Sequence, residues 1–171
     1  MAIAAVGEKV PPFEAAATGG KTISSDQLRG SPFVLYFYPR DNTPGCTMQS
    51  KDFRNRHAEF ESRGVTVLGV SRDSLASHER FRSKYDFPFD LLSDSDETLC
   101  GLFDVVKRKN MYGRLLRGVE RSTFLFDSDG VLLREWRKVR IRGHVDEVLE
   151  AVKAIEGRSA RQVPGSQSGA V

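Results

Sequence analysis

The feature that most constrains the fold is an uninterrupted apolar and aromatic run, FVLYFY, at Phe33–Tyr38. Pro32 precedes this run and Pro39 follows it. Such a run is typical of a β-strand buried on both faces, because a half-buried strand would alternate apolar and polar residues. Strands of this kind lie in the middle of a sheet beside parallel neighbours, with helices on both faces. The run therefore predicts an α/β chain.

The rest of the sequence supplies the other elements of such a sheet. Prolines and glycines before position 21 favour an N-terminal β-hairpin, and Ser25 is a suitable cap for one helical turn over Asp26–Leu28. Apolar periodicity and turn residues predict the remaining elements. They are a helix at Met48–Arg63, a strand at Thr66–Val70, a helix at Leu75–Tyr85, a strand at Phe89–Leu92, a short helix at Glu97–Phe103, a hairpin formed by Ser122–Phe126 and Val131–Val139, and a last helix at Val145–Ile155. Between Phe103 and Ser122 we expect a basic loop.

The order of these elements predicts a thioredoxin-like fold of the α/β class, with a central mixed sheet, helices on both faces and an N-terminal hairpin. A chain of 171 residues suits one domain, which we place at residues 1–156. From Gly157 onward Gly, Ser, Arg, Gln and Pro dominate without periodicity. We therefore expect residues 157–171 to form a disordered tail.

The charge pattern gives weak guidance on partners. The net charge is +3, and basic residues concentrate between Lys107 and Arg142. A nucleic-acid surface is one explanation, but few aromatic residues interleave and no nucleic-acid-binding motif is present, so we favour a solvated basic face. No apolar run approaches the roughly 18–20 residues of a membrane span, and the apolar stretch at residues 1–6 is short for a signal peptide. We expect a cytoplasmic monomer with neither a membrane nor a nucleic acid as partner.

Two cysteines, Cys46 and Cys100, are too few for a disulfide scaffold, and without a C-x-x-C pair we expect no metal and no cofactor. Cys46 follows the buried strand in a polar loop and precedes a helix. Ligands bind at the carboxyl ends of such strands, and the free N–H groups of a helix start favour a thiolate. An inert core cysteine would instead be expected in an apolar run. An acidic cluster, Asp94, Asp96 and Glu97, suits the capping turn of the short helix better than a cation site.

The residues around Cys46 resemble a known family. Pro39, Thr43 and Cys46 reproduce the P-x-x-x-T-x-x-C signature of the peroxiredoxins, and YFYPRDNTPGCT is similar to the bacterioferritin comigratory protein, or peroxiredoxin Q, branch. The resemblance continues through GVSRDS, LLSD, KNMYG and ERSTFLFDSDG and covers Gly7 to Ile155. It implies a thioredoxin-like, thiol-dependent peroxidase that reduces hydrogen peroxide and organic hydroperoxides through a sulfenic acid.

The resemblance also implies roles for individual residues. By position, Cys46 is the peroxidatic cysteine, Thr43 orients the peroxide, Pro39 shields the thiolate and Arg121 is the distal arginine. These residue types suit the chemistry, since attack on an O–O bond needs a thiolate and stabilisation of the leaving oxygen. An arginine is always charged and donates in a fork, so it can serve both purposes.

Other residues near Cys46, and the histidines, are expected to have lesser roles. The N–H of Gly45 is a candidate donor to the peroxide, and the Tyr38 hydroxyl is a weaker candidate for the same contact. We leave Gln49 as a structural residue. His57 and His78 lie on the apolar stripes of their helices and are interpreted as packing residues.

Regeneration of Cys46 needs a second thiol, and here the sequence departs from its relatives. Many members of the branch carry a resolving cysteine at one of two positions, which are Lys51 and Arg82 in this chain. Cys100 is the remaining internal candidate, although its apolar surroundings suit a core residue. We therefore favour a one-cysteine cycle in which thioredoxin, or glutaredoxin with glutathione, supplies the external thiol.

Two other functions stay open alongside the peroxidase. The first is a redox-sensing or holdase-type binding protein that is switched by oxidation of Cys46. The second is a nucleic-acid binder acting through the basic segment. A disulfide oxidoreductase is disfavoured because position 49, where a C-x-x-C motif would place its second cysteine, is Gln.

Overall fold

The structure of the protein is a computed structural model that describes residues 3–155. The tail predicted at residues 157–171 lies outside the described residues, so its disorder and the domain boundary at 156 stay predictions. Within the described residues the strands form a seven-stranded sheet and a separate two-stranded hairpin.

The elements alternate between strands and helices through most of the chain. The strands are β1 (Glu14–Ala17), β2 (Lys21–Ser24), β3 (Phe33–Phe37), β4 (Thr66–Ser71), β5 (Asp90–Ser93), β6 (Val106–Met111), β7 (Arg114–Val119), β8 (Ser122–Phe126) and β9 (Leu132–Trp136). The helices are α1 (Ser25–Leu28), α2 (Pro44–Ser62), α3 (Leu75–Tyr85), α4 (Thr98–Leu102) and α5, which runs from 144 to the last described residue, 155. The large sheet has the order β2-β1-β5-β4-β3-β8-β9, and β6 pairs with β7. The predicted mixed sheet and N-terminal hairpin are confirmed.

Strand β3 lies inside the sheet, as the FVLYFY run predicts, and all five of its residues are buried. It pairs in parallel with β4 and antiparallel with β8, with Phe37 opposite Ser122. The expectation of parallel neighbours thus holds on one side only, because β8 enters the sheet from the other end. The carboxyl end of β3 and the start of β8 consequently meet at the same edge.

Alternate residues of β3 face two separate apolar clusters, because successive side chains of a strand point to opposite faces. One cluster, the Leu35 face, includes residues of α4 and of the N-terminal segment. The other, the Tyr36 face, includes residues of α2, α3 and α5. Cys100 belongs to the Leu35 face and Cys46 to the Tyr36 face. The two thiols therefore lie on opposite sides of the sheet.

The start of α2 and the cap of α1 differ from prediction, and the other helix starts agree within one residue. Helix α2 begins at Pro44, four residues before the expected Met48, because proline has no N–H to leave unpaired and suits the first helical position. The cap of α1 is Ser24, whose hydroxyl accepts from the Gln27 N–H at 3.3 Å. In return the Gln27 side chain accepts from the Ser24 N–H at 3.2 Å, which completes a capping box. Ser25 instead accepts from the N–H of Phe13 through its hydroxyl.

The basic loop predicted between Phe103 and Ser122 is wrong in part, because it contains the antiparallel hairpin β6–β7. Alternation is weak in its sequence, since most side chains of β7 are exposed on both faces. None of the helices within residues 3–155 combines the length and apolar character needed to cross a bilayer.

Candidate active site

Cys46 is the third residue of α2, directly after the loop that follows β3. Thr43 is the N-cap residue and adopts an extended backbone, and its carbonyl accepts from the N–H of Thr47 at 2.8 Å. The first N–H groups of a helix have no intrahelical partner, so those near Cys46 are free to face an anion. The Cys46 side chain is only 1% exposed. The sulfur therefore lies at a helix start that is shielded from solvent.

The guanidinium of Arg121 points at this sulfur. Its Nη2 donates to Cys46 Sγ at 3.4 Å, and its Nη1 donates to Gln49 Oε1 at 2.7 Å. Arg121 immediately precedes β8, so the pairing of β8 with β3 brings it to the sheet edge where α2 begins. The predicted juxtaposition of Arg121 and Cys46 is present in the structure. A permanent cation at this distance stabilises negative charge on the sulfur or on an oxygen bound beside it.

Gly45 makes room for the guanidinium. A Cβ built on Gly45 would lie 3.2 Å from Arg121 Nη2 and 3.1 Å from Ile141 Cδ1. Both contacts are tighter than an ordinary van der Waals contact, so a larger residue would push the arginine away from the sulfur. The glycine thus permits the close approach on which the Cys46–Arg121 contact depends.

Gln49 is a site residue that the sequence analysis missed. It is fully buried, and its Oε1 holds Arg121 while its Nε2 has no hydrogen-bond partner among the described residues. The spacing contained a usable signal, because positions 46 and 49 share one face of a helix. Gln49 orients the guanidinium and is more than the structural residue that the sequence suggested.

The other predicted site residues surround the loop. Thr43 is partly buried, and its hydroxyl donates to the carbonyl of Arg40 at 2.9 Å, which leaves its lone pairs free to accept. Pro39 is exposed. The Tyr38 hydroxyl is buried and turned toward the loop, where it donates to Asp41 Oδ1 at 2.7 Å. The roles of these residues in binding peroxide stay predictions.

Asp41 ties this loop to α3 through a buried network that the sequence did not reveal. Its Oδ2 accepts from the Ser77 hydroxyl and lies 2.7 Å from His78 Nδ1. The other ring nitrogen of His78 lies 2.8 Å from the carbonyl oxygen of Leu92, so both nitrogens face acceptors. His78 is fully buried, as expected of a packing residue, but it also holds the loop in place through Asp41. These partners are far apart in the chain, and no local pattern connects them.

Cys100 has different surroundings. It is fully buried, and it is the third residue of α4. The Asp94 carboxylate accepts from the N–H of Cys100 at 2.7 Å and from that of Leu99 at 2.8 Å. Burial, and secondarily a hydrogen bond and the charge of Asp94, raise the pKa of the Cys100 thiol far above its usual range. Cys100 is therefore a neutral thiol at physiological pH.

The acidic cluster near α4 behaves partly as expected. Asp94 caps the helix, and Asp96 accepts from the Thr98 N–H at 3.1 Å. Glu97 makes no cap and instead forms ion pairs with Arg72 and Arg117, whose hydrogen bonds lower its pKa to about 2. Within the described residues, no group of three His, Cys, Asp or Glu side chains is arranged to hold a metal ion.

The remaining histidines are packing residues, one of them next to the site. The ring of His57 is 6.0 Å from that of Phe89. His144 is buried, and its Nε2 lies 2.8 Å from the Thr123 hydroxyl. Burial, assisted by the positive charges of Arg121 and Arg134, lowers the pKa of His144 to about 4. His144 is thus neutral at pH 7 and senses the charge of Arg121.

Comparisons with known proteins point to one family. The sequence profile of the AhpC/TSA family matches residues 6–134. The chain is 50% identical over 137 residues to peroxiredoxin Bcp of Xanthomonas campestris, covering 80% of this chain and 86% of that protein. It is 43% identical to peroxiredoxin Bcp of Bacillus subtilis, with coverage of 86% and 94%. The structure of Xanthomonas campestris peroxiredoxin Q superposes with a TM-score of 0.81 at 48% identity, covering 83% of this chain and 90% of that one.

Proposed function

The chain belongs to the AhpC/TSA family, in the branch of Bcp and peroxiredoxin Q, and on this premise we propose that it is a peroxidase whose Cys46 thiolate reduces hydroperoxides. The observation that carries the proposal is the Arg121 guanidinium 3.4 Å from Cys46 Sγ at the start of α2. The guanidinium and the free N–H groups of the helix start stabilise negative charge on the sulfur and on the leaving oxygen, and the low dielectric of the buried site strengthens both interactions.

The first step oxidises the cysteine. The Cys46 thiolate attacks the terminal oxygen of ROOH, the O–O bond breaks, and the electron pair leaves with RO⁻, which takes up a proton to become ROH. Cys46 becomes a sulfenic acid, Cys–SOH. Arg121 and the free N–H groups near Gly45 and Cys46 stabilise the alkoxide, and the Thr43 hydroxyl accepts from the peroxide O–H.

The second step uses an external thiol. A molecule R′SH attacks the sulfenic acid, which forms Cys46–S–SR′ and releases water. A second R′SH then releases the Cys46 thiol and R′SSR′. Support for this one-cysteine cycle comes from the location of Cys100 on the opposite face of the sheet, since a disulfide needs Cα atoms within about 7 Å. The neutral state of the Cys100 thiol argues in the same direction, because the thiolate is the nucleophile.

The substrates and reductant are proposed by analogy and chemistry. The Xanthomonas campestris bacterioferritin comigratory protein, 47% identical to this chain, has an alkyl peroxide reduction activity. We propose hydrogen peroxide and organic hydroperoxides as substrates, with thioredoxin or glutaredoxin and glutathione as reductants. Since the Cys46 side chain is 1% exposed, the first turn of α2 must move before a protein thiol can reach the sulfur. A cytoplasmic monomer remains the prediction for location and state.

Matched cysteine variants test the proposal. Cys46→Ser should abolish steady-state hydrogen peroxide consumption with either reductant system, and Cys100→Ser should keep the wild-type rate. Mass spectrometry after one equivalent of peroxide should find a sulfenic acid, or a mixed disulfide once glutathione is added. An active Cys46→Ser protein would refute the peroxidase, and an internal Cys46–Cys100 disulfide would refute the one-cysteine cycle. Slow, substoichiometric peroxide removal by the wild type would favour the redox-sensing alternative.

A further inference from the structure

The hairpin β6–β7 extends from the same edge of the large sheet that carries the active site. Its base is anchored by Val119, which is buried, and by Val106, which packs against the Leu35 face. Glu120 follows β7 and donates its N–H to the carbonyl of Val105 at 2.7 Å. The next residue is Arg121, which contacts Cys46. The position of the hairpin is thus fixed relative to the site.

The outer part of the hairpin exposes large apolar side chains. Tyr112 in the turn is 98% exposed, Leu115 is 65% exposed and Leu116 is 46% exposed. Successive residues of a strand point to opposite faces, so the two leucines project from both sides of the hairpin. A protein partner that covers one flat face would leave the other leucine in water. A medium that surrounds the tip covers all three side chains.

Positive charge accompanies these apolar residues. Residues 106–118 include Lys107, Arg108, Lys109, Arg114 and Arg117 and contain no acidic residue. Arg117 is paired with Glu97, and Lys107 lies 3.2 Å from Asp104. The three consecutive cations of β6 also line one groove with Arg137, Lys138 and a single acidic residue, Glu120. The surface behind the apolar tip is therefore suited to anionic groups.

We propose that the hairpin β6–β7 docks on an anionic lipid surface, with Tyr112, Leu115 and Leu116 in the interfacial layer and the cations on the headgroups. Exposed apolar residues surrounded by lysine and arginine are the features that bind peripheral proteins to such surfaces. Nucleic acid would use the cations but give no partner to the leucines. The proposal departs from our sequence-based expectation of no membrane partner, because the sequence was interpreted as a basic loop without an apolar tip.

A consequence follows for the substrate, and it rests on the proposed peroxidase function. Docking through the hairpin would bring the sheet edge that carries Cys46 and Arg121 close to the lipid surface. Hydroperoxides carried by membrane lipids would then be a substrate class of this protein. Docking itself needs no chemistry at Cys46, so the two proposals can fail independently.

The test is vesicle co-sedimentation of the full-length protein. We expect binding to vesicles of phosphatidylcholine with phosphatidylglycerol that is roughly tenfold or more tighter than binding to phosphatidylcholine alone. The double variant Leu115→Ser/Leu116→Ser should lose roughly tenfold in binding to the anionic vesicles and turn over hydrogen peroxide at the wild-type rate, which also verifies its fold. Val6→Ser is the control, because Val6 is 53% exposed and its neighbour Gly7 donates to the carbonyl of Leu132, which pairs with the end of β8 opposite to Arg121.

Further measurements distinguish docking on lipid from the other proposals for the hairpin. Cys46→Ser should bind vesicles like the wild type, so vesicle binding and peroxide turnover report on the two proposals separately. Equal binding to both kinds of vesicle, or no effect of the leucine substitutions, would overturn the docking proposal. Binding to duplex DNA that ignores the leucine substitutions, without vesicle binding, would assign the hairpin to nucleic acid. Self-association that requires the leucines, again without vesicle binding, would assign it to a second copy of the chain.

Discussion

Cys46 and Cys100 occupy equivalent helical positions in two different settings. Each is the third residue of a helix, and their side chains are 1% and 0% exposed. Cys46 faces the guanidinium of Arg121 and Cys100 faces the carboxylate of Asp94. The sheet separates them, so neither charge compensates the other. A helix start and burial alone do not make a thiol reactive, and the sign of the neighbouring charge distinguishes these two.

The largest expected effect concerns the protection of Cys100. In the Cys46→Ser protein, iodoacetamide should label native Cys100 at least about a thousandfold more slowly than the same thiol in urea, because labelling needs an opening of the core and a thiolate. The burial and raised pKa of Cys100 are the reasons. Mass spectrometry of timed samples measures the rates. The comparison rate is that of Cys46 in the Cys100→Ser protein. If native Cys100 is labelled as fast as that, the two thiols do not differ in reactivity.

The next largest effect is expected from substitution of Arg121, and it concerns peroxidase activity. Arg121→Met should lower kcat/KM for hydrogen peroxide by about 10²–10³-fold, the usual loss for one oxyanion donor. Arg80→Met is the matched control, since Arg80 is an exposed arginine on α3. Peroxide consumption under conditions of excess reductant measures both. A similar rate for the two variants would mean that the cation beside Cys46 does not distinguish it from Cys100.

His144, which is buried beside Arg121, should make the stability of the protein depend on pH, chiefly because of its burial. Its folded pKa of about 4 lies below the ordinary value of 6.5, so between these pH values the unfolded chain binds a proton that the folded chain does not. The free energy of unfolding should therefore fall as pH drops from 6.5 to about 4, by on the order of 3 kcal/mol. Denaturant unfolding at a series of pH values measures this loss.

The control for this prediction is His144→Gln, which keeps a polar partner for Thr123 but cannot titrate. The variant should lack the His144 share of the acid-induced loss. An acid dependence identical to that of the wild type would show that His144 does not titrate as its burial requires.

The smallest effect is expected at Gln49. Gln49→Leu removes the acceptor that orients Arg121 but leaves the cation in place, so kcat/KM should fall roughly tenfold, less than for Arg121→Met. Stability should change little, because the substitution also removes the buried and unpartnered Nε2. Activity and urea unfolding of the same preparation separate the two effects. A loss equal to that of Arg121→Met would indicate that the arginine has no productive position without Gln49.

Local patterns in the sequence predicted much of the fold. Burial on both faces gives β3 a continuous apolar run, and Ser122–Phe126 is recovered with its bounds. The hairpin β6–β7 was not predicted, because neither of its faces is fully covered. Its side chains therefore lack the alternation that marks a half-buried strand. The start of α2 was placed too late, because the apolar periodicity that marks the helix begins at Phe53 and the first turn, which starts at Pro44, carries none.

The candidate site, like the fold, could be predicted from the sequence only in part. Arg121 and Thr43 could be assigned by resemblance, and the structure places the Arg121 guanidinium at the Cys46 sulfur, while the roles of both residues stay predictions. Gln49 was within reach of a helical-face argument but was not singled out. The contacts of Asp41 with Ser77 and His78 depend on how α3 packs against the loop, which no local pattern encodes. Tertiary contacts of this kind could not be obtained from periodicity.

Buried hydrogen bonds on either side of Cys46 act as two anchors, and they determine which part of α2 can open locally. Asp41 is held by α3, and beyond the cysteine Tyr36 donates to the Ser50 hydroxyl at 2.9 Å. Gly69 leaves the space that the Tyr36 ring needs, since a Cβ there would lie 2.8 Å from its hydroxyl. Between the two anchors Arg121 makes the contacts that hold Cys46 and Gln49. We therefore expect residues 42–49 to open locally more readily than the remainder of α2, and amide exchange that is faster there than in residues 51–62 would show it.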